Sequence, residues 1–408
     1  MKILVLNRQK PHLAPFGDWL GDLVPQARLF TAANRVQGFQ GFAAIQPFEN
    51  YEDSGLIEFE ALRLHRQSPI ERIVATSEVD ILRAGRLRSY LGLPGQQADS
   101  ALAFRNKVVM KQHLVNRTQL VNIPIFQAIN EPFDIIQFIE QHGYPVIVKP
   151  DDGSGSLGAK MLANEDDLAQ FLQQPLPRGL EIECFIQGDQ YHVDGLLVDN
   201  EVCFCWPSQY LGNGLSFTQG WFTASQMLRP EHHLTQRLIA AAKEVLALLP
   251  TPPVTSFHLE LFHTPGDELF FCEIASRTGG GMINGTIEQA FGINLNQLFI
   301  QGQAGMPIDT SRLRAITQPK KIVGWGLVPP QAGVFRGYRQ AKPPQPWVLH
   351  FDWSIQAGTH SQPAQMSVDQ VGGFIVDLTD APNPEERLIE VWRWAEHQAL
   401  WEPAGVNA

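Results

Sequence analysis

The sequence predicts a mixed α/β (α+β) protein, with parallel βα units at its start and antiparallel hairpins through its middle and end. Three observations carry that reading. Strand-like runs alternate with helices over the first hundred residues. The stretch Ser256 to Gly281 reads as two apolar strands about a turn, running into a glycine-rich helix start. Beyond a boundary at Gln318-Pro319-Lys320 the chain is rich in Pro, Trp and Gly, with strand-like runs such as WVLHFDWSI and FIVDL.

In the first region, Lys2 to Asn7 and Ile70 to Thr76 read as buried strands. Between Glu78 and Gly92, apolar residues recur at helical spacing until Leu93-Pro94-Gly95 stops the helix. Glu78, at that helix start, is assigned to complementing the helix dipole. Residues 101 to 115 read as one further helix, with Lys107 and Lys111 four apart on one face. A solvated face is the simplest account of that pair.

Tyr144 to Lys160 reads YPVIVKPDDGSGSLGAK. A strand ends in Lys149, and Gly153, Gly155 and Gly158 follow with serines between them. These letters satisfy the dinucleotide pattern G-x-G-x-x-G, but that turn must open a long helix. Here AKML reads as a returning strand, and the next helix starts after Asn164. A phosphate-binding flap between two strands is the reading that remains, its backbone N–H groups and hydroxyls wrapping phosphate oxygens. Leu180 to Asp194 is expected to be a hairpin turning at Gly188, with Glu183 to Ile186 offering an adenine-sized edge. Glu231 to Leu249 is an amphipathic helix.

The central hairpin is expected to turn through two residues, Gly266 and Asp267. That register sets Glu260 opposite Glu273, roughly 5 Å apart at Cβ. Like charges so placed are destabilising unless something neutralises them, and a hard divalent cation suits such an oxygen pair. Arg277 and the run Gly279-Gly280-Gly281 then supply a guanidinium and backbone N–H groups for an anion. A closing helix, Glu385 to Leu400, carries aromatics at core spacing.

Composition narrows the partners. Of 408 residues, 44% are hydrophobic and 18% charged, as in soluble globular proteins. The net charge of -11 speaks against nucleic acid and anionic membranes. No run reaches the roughly 20 apolar residues of a membrane helix, and MKILVLNRQK has no signal-peptide core. Cys184, Cys203, Cys205 and Cys272 lie in strand-like runs and read as reduced core residues, so a cytoplasmic location is expected.

The order of these parts resembles the ATP-grasp superfamily: Lys107, strand-end Lys149, the flap GSGSLG, Glu183, Glu260, Glu273 and Arg277. Within it the chain is similar to carboxylate–amine ligases typified by bacterial L-amino acid ligases and, more distantly, carnosine synthase. His258-x-Glu260 and Glu273-x-x-x-Arg277 carry that finer likeness, and SEVDILRAGRLRSYLGLPGQ followed by RNKVVMK is similar to the domain preceding the ATP-binding part. The resemblance implies a pre-ATP-grasp α/β domain over residues 1–100, an ATP-grasp domain over 101–305 with a lid at about 120–188, and a β-rich lobe over 306–408.

It also implies roles. Lys107 and Lys149 bind ATP phosphates under Ser154, Gly155 and Ser156. Glu183, Phe185 and Ile186 border the adenine, with Ile147 behind it. Glu260 and Glu273 hold Mg²⁺ (or Mn²⁺). Arg277, Gly279 and Gly280 hold the reacting carboxylate, and Arg277 stabilises the acyl phosphate. Gln190 stands where many members carry a ribose-binding glutamate, and Ala275 where many carry a metal-binding asparagine. The implied partners are ATP, a carboxylate and an amine, with a homodimer left open. Substrate contacts are expected from Pro207 to Met227 and the last lobe, where Trp221 and Phe222 either line a pocket or pack. Alternative readings are a nucleotide-binding regulatory protein of the same fold without turnover, a biotin-carboxylase-like enzyme, and a dehydrogenase.

Overall fold

The computed structural model describes residues 2–212 and 220–403. It opens with a four-stranded parallel sheet in the order Ala44–Phe48, Ala27–Ala32, Ile3–Asn7, Arg72–Ala75. Leu4, Leu6 and Ile73 face a core shared with Ile57, Ala61, Ala84 and Leu87 of two helices, Leu56–Gln67 and Glu78–Leu91. The second helix stops at Gly92, whose φ of +65° suits a residue without Cβ.

An eight-stranded sheet forms the centre, in the order Leu269–Ala275, Val254–His263, Asp189–Val198, Glu201–Leu211, Ala224–Met227, Val323–Val328, Gly372–Asp377, Val348–Trp353. Successive residues point to opposite faces. Leu197, Phe257 and Phe271 meet the helix Thr235–Leu248 on one side. Leu196, Phe204 and Trp325 meet the helices Ile283–Phe291 and Pro384–Gln398 on the other. Each such buried side chain contributes about 2 kcal/mol of transfer free energy. Strands from the last lobe thus extend the same sheet that carries the glutamate hairpin.

A smaller sheet is separate from these two. Its order is Phe126–Ile129, Leu180–Cys184, Val146–Pro150, Lys160–Leu162, backed by helices Pro132–His142 and Glu165–Leu172. AKML does return as a strand, with Val148 opposite Lys160, and the Asn164 side chain caps the next helix by accepting from the Asp167 N–H at 3.0 Å. A fourth, three-stranded sheet closes the chain. No helix among the described residues is long and apolar enough to cross a membrane.

Three local expectations are corrected. Residues 101–115 are two helices, Ala98–Ala103 and Lys107–Leu114, because the Asn106 side chain starts the second by accepting from the Val109 N–H at 3.0 Å. Leu180–Cys184 and Asp189–Val198 are not a hairpin: they belong to different sheets, and residues 185–188 cross between them. The turn after His263 has three residues, 265–267, with Asp267 at φ 62°, and Thr264 N–H reaches Glu268 O at 3.0 Å.

Candidate active site

Glu260 and Glu273 are direct partners on neighbouring strands. A one-residue bulge at Cys272 offsets the longer turn and restores the register. Each carboxylate is held. Glu260 accepts from His258 Nε2 at 3.1 Å, Tyr210 O–H at 3.1 Å and Gln190 Nε2 at 2.9 Å. Glu273 pairs with Lys107 Nζ at 2.9 Å. Burial by itself would raise the Glu273 carboxyl, but the Lys107 and Lys149 ammonium groups hold it down at about 2.

Behind Glu260 lies a buried chain of polar groups. His258 Nδ1 donates to Asp194 Oδ1 at 2.9 Å, His192 Nδ1 to Asp194 Oδ2 at 2.5 Å, and His192 Nε2 meets the Ser225 hydroxyl at 2.7 Å. Burial disfavours a charged His258, yet the Asp194 carboxylate and the bond to Glu260 raise it to about 10. His192, Asp194 and His258 have cation-ligating atoms close together, but the hydrogen bonds just described already engage them. Gly279 packs onto this chain so closely that a Cβ there would lie 2.7 Å from His258 Nδ1 and 2.8 Å from Asp194 Oδ1.

Lys107 begins its helix at the floor of the flap. Its N–H donates to Asp151 O at 2.7 Å and its ammonium to Gly153 O at 2.7 Å. The same ammonium that meets Glu273 therefore ties down the flap. Gly155, at φ +61°, accepts from the Ser367 N–H at 3.0 Å, and Ser154 and Ser156 lie half-buried beside it.

Lys107 and Lys111 do not form a solvated face. Lys111 is fully buried, with Nζ 2.7 Å from Glu181 Oε1 and 2.5 Å from Glu183 Oε2. Lys149 Nζ sits 2.5 Å from Glu183 Oε1. Burial opposes the charge on Glu183, but Lys111 and Lys149 outweigh it and hold the carboxyl at about 2. A lone ammonium in this position would be expelled. Glu181 and Lys111 were missed in the sequence. The signal available was a charged residue at alternate positions of an otherwise apolar strand, LEIEC, which calls for buried cationic partners.

Ile147 lies opposite both Met161 and Glu183 in the small sheet, and Phe185, more than a third exposed, follows with its N–H on Pro145 O at 3.2 Å. Ile186 is half-buried in the crossing segment. Ile147 and Met161 thus put apolar side chains on the sheet face that carries Glu183.

Glu78 is more than a dipole partner. It lies between two guanidiniums, accepting from Arg277 Nε and Arg105 Nη1, while Arg105 Nη2 donates to Asp152 O at the flap base. Burial would raise the Glu78 carboxyl, yet Arg277 and Arg105 lower it. Arg277 Nη1 also donates to Thr278 O at 3.0 Å. Arg105, Lys107, Ser154, Glu273 and Arg277 line one cleft, which the side chains close to about 10 Å³.

Apart from Glu78, the residues lining this cleft belong to the segment 104–281, which matches the family model described as an ATP-grasp domain. Residues 104–281 have the ATP-grasp fold. It is 32% identical over 247 residues to an L-arginine-specific L-amino acid ligase of Bacillus subtilis, a match covering 57% of this chain and 58% of that protein. The matched part is therefore little more than half the length of that relative. An L-amino acid ligase structure from Bacillus licheniformis superposes with TM-score 0.78, covering 99% of both chains at 17% identity. The biotin carboxylase domain of a Hydrogenobacter thermophilus 2-oxoglutarate carboxylase, solved with MgADP, ADP and bicarbonate, gives TM-score 0.68 at 15% identity, covering 98% of this chain and 90% of that one. At such identities the two structures show the ATP-grasp fold and nothing finer.

Trp221 and Phe222, left open as pocket or packing, pack: Phe222 is buried and stacks on Trp392 at 4.7 Å, and Trp221 meets the same ring at 4.9 Å. Residues 213–219 of the expected substrate segment lie outside the described residues.

Proposed function

We propose that the chain is an ATP-dependent carboxylate–amine ligase that joins an amino acid to an amine through an acyl phosphate. The observation that carries this is Lys107, which touches both the flap at Gly153 and the acidic pair at Glu273. A nucleotide under the flap would present its terminal phosphates to that ammonium, to Lys149 and to the acidic pair together. Ile147, Phe185 and Ile186 would border the adenine beside Glu183, and Gln190 would lie towards the ribose.

Two in-register carboxylates are hard oxygen donors and fit Mg²⁺ or Mn²⁺. The ion would be held by Glu260 and Glu273 and would neutralise phosphate charge when bound. Gln190, Tyr210 and His258 orient Glu260 from behind. Arg277 and the backbone N–H groups of Gly279 and Gly280 would hold the substrate carboxylate. One carboxylate oxygen then attacks the γ-phosphorus, and the bond to the ADP oxygen breaks. The amine next attacks the acyl carbon, loses a proton, and expels inorganic phosphate. Arg277 stabilises both the acyl phosphate and the tetrahedral oxyanion. The closed flap keeps water from the acyl phosphate. No protein nucleophile takes part.

L-arginine is the first substrate to try, because the Bacillus subtilis relative is named for it. Four free cysteines support a cytoplasmic setting. The test is phosphate release across pairs of amino acids with Mg²⁺ and ATP, using a carboxylate labelled with heavy oxygen. One labelled oxygen is expected in the released phosphate. Label in AMP, or pyrophosphate as product, would overturn the acyl-phosphate route, and absence of any amino-acid-dependent release would favour a non-catalytic nucleotide binder.

A further inference from the structure

A cavity of about 930 Å³ opens beside the closed cleft. One wall is the carboxyl end of the first parallel sheet: Arg8 to Lys10 after the first strand, Ala32 to Arg35 after the second, Glu49 to Glu52 after the third. The opposite wall is His350 and Asp352 of the strand Val348–Trp353, and Gly281 and Met282 connect the cavity to the loop that carries Arg277. Ligands of open α/β sheets sit outside the carboxyl ends of the strands. The size lies in the range of sites for small molecules and exceeds what one small amino acid fills.

The wall is built, and it is joined to the reacting groups. Tyr51 O–H donates to Asp80 Oδ1 at 3.1 Å, and Arg83 Nη1 donates to the same oxygen at 2.8 Å. Tyr51, Asp80 and Arg83 are all buried. Asp80 lies two residues after Glu78 on one helix, and Glu78 holds Arg277.

The charges select a ligand class. Arg8 is paired with Glu52, and His350 with Asp352. Lys10, Arg35 and Glu49 have no side-chain partner among the described residues. Two free cations suit a single carboxylate, whereas Glu49 and the paired acids disfavour a dianion such as a phosphate monoester. Phe48, Leu13 and Met282 supply apolar contact for a side chain.

We propose that this cavity binds the amine substrate as an amino acid or short peptide, its carboxylate on Lys10 and Arg35 and its amine directed past Gly281 towards Arg277. This rests on the ligase reading. In that orientation the nucleophile approaches the acyl phosphate from the side away from the nucleotide, and the acceptor's own carboxylate is kept out of the activation site.

The test compares common L-amino acids and dipeptides with their C-terminal amides as acceptors. In the unmodified protein the free acids should be preferred. Lys10→Ala combined with Arg35→Ala should raise KM for the acids roughly tenfold or more, leave KM for the amides and for ATP within about twofold, and abolish the preference. Both residues lie at the surface of the cavity, so unchanged thermal unfolding is expected. A preference that survives the double substitution overturns the proposal, as does equal use of acids and amides by the unmodified protein. Hydrogen exchange separates this from the ligase reading. With MgADP present, amino acids should protect residues 8–13 and 49–52. Turnover without that protection overturns the cavity assignment and leaves the ligase. Protection without turnover supports the cavity as an amino-acid site and removes the ligase.

Discussion

Glu260 faces Glu273 across two adjacent strands because Cys272 bulges out of the second one. Nearer the turn the pairing is one residue out of step, with Leu261 opposite Phe271. Without the bulge the second glutamate would point to the other side of the sheet, into the core around Leu259 and Ile274. The backbone irregularity thus delivers two like charges to one place, where Lys107 and His258 neutralise them. Glu273→Gln keeps the shape and removes one charge. Mg²⁺-dependent phosphate release should fall by about a hundredfold or more, while the protein still folds, with thermal stability lowered because Lys107 loses its carboxylate partner. Normal Mg²⁺-dependent turnover in this variant would remove Glu273 from the metal pair.

Lys111 is the most deeply buried cation near the site, and its ammonium answers two carboxylates at once. Replacing it with methionine fills the volume but strands Glu181 and Glu183 around a single remaining ammonium, Lys149. Breaking a buried pair from one side costs about 3–5 kcal/mol. Urea unfolding of Lys111→Met should show a loss of that order. A variant as stable as the parent would mean that the cluster relaxes into water.

The same cluster sets an acid limb. Glu183 is held at about 2 against an ordinary 4.5, chiefly by Lys111 and Lys149 acting against burial. A carboxyl depressed by folding adds stability that is complete above its unfolded value and is lost as pH falls through its folded value. Stability should therefore decline from about pH 5 towards about pH 2, with on the order of 3 kcal/mol at stake for this one group. Glu273, also held at about 2, steepens the same limb. Unfolding free energies measured against pH should show a shallower acid limb in Glu183→Gln than in the parent. Superimposable slopes would mean that Glu183 is not depressed in the folded protein.

Much of the site could be read from residue order, because strand periodicity and turn chemistry are local. Lys149 at a strand end, the flap glycines and the Asn164 cap all follow from short stretches. The Glu260–Glu273 pairing was reached from a two-residue turn, whereas the protein uses a three-residue turn and a bulge that cancel. The bulge shifts the alternation by one residue, but the run LFFCEI is apolar on both sides of it and hides the shift, so the register came out right by compensation. Lys111 and Glu78 were assigned to solvent and to a helix dipole because their partners are distant in sequence: Glu183 lies 72 residues from Lys111, and Arg277 lies 199 from Glu78. Periodicity places a charge on a face but does not say what that face meets. The cavity at the first sheet was equally illegible, since it is assembled from three separate strand ends and a strand of the last lobe.

Glu78 offers the sharpest test of how the helix behind the first parallel sheet takes part in the proposed chemistry. Its carboxylate fixes Arg277 by Nε and Arg105 by Nη1, and Arg105 in turn grips Asp152 at the flap base. If Arg277 stabilises the acyl phosphate, its guanidinium must be aimed before the reaction begins, and Glu78 is the group that aims it. Glu78 lines the cleft with its carboxylate engaged by the two guanidiniums, so in this scheme it is a positioning residue. Glu78→Ala should lower kcat by roughly ten- to a hundredfold and change KM for ATP by less than about threefold. Glu78→Asp, which can still reach one guanidinium, should recover part of the loss. Hydrogen exchange at residues 152–158 should quicken in Glu78→Ala, because Arg105 loses the anion that holds it to the flap. Arg277→Ala should cost far more in kcat than Glu78→Ala, with ATP binding again little changed. A purely structural role for Glu78 predicts a different pattern: lower thermal stability, unaltered kcat in the folded fraction, and no rescue by aspartate. Observing that pattern would detach Glu78 from the reaction and leave Arg277 to be oriented by Thr278 alone.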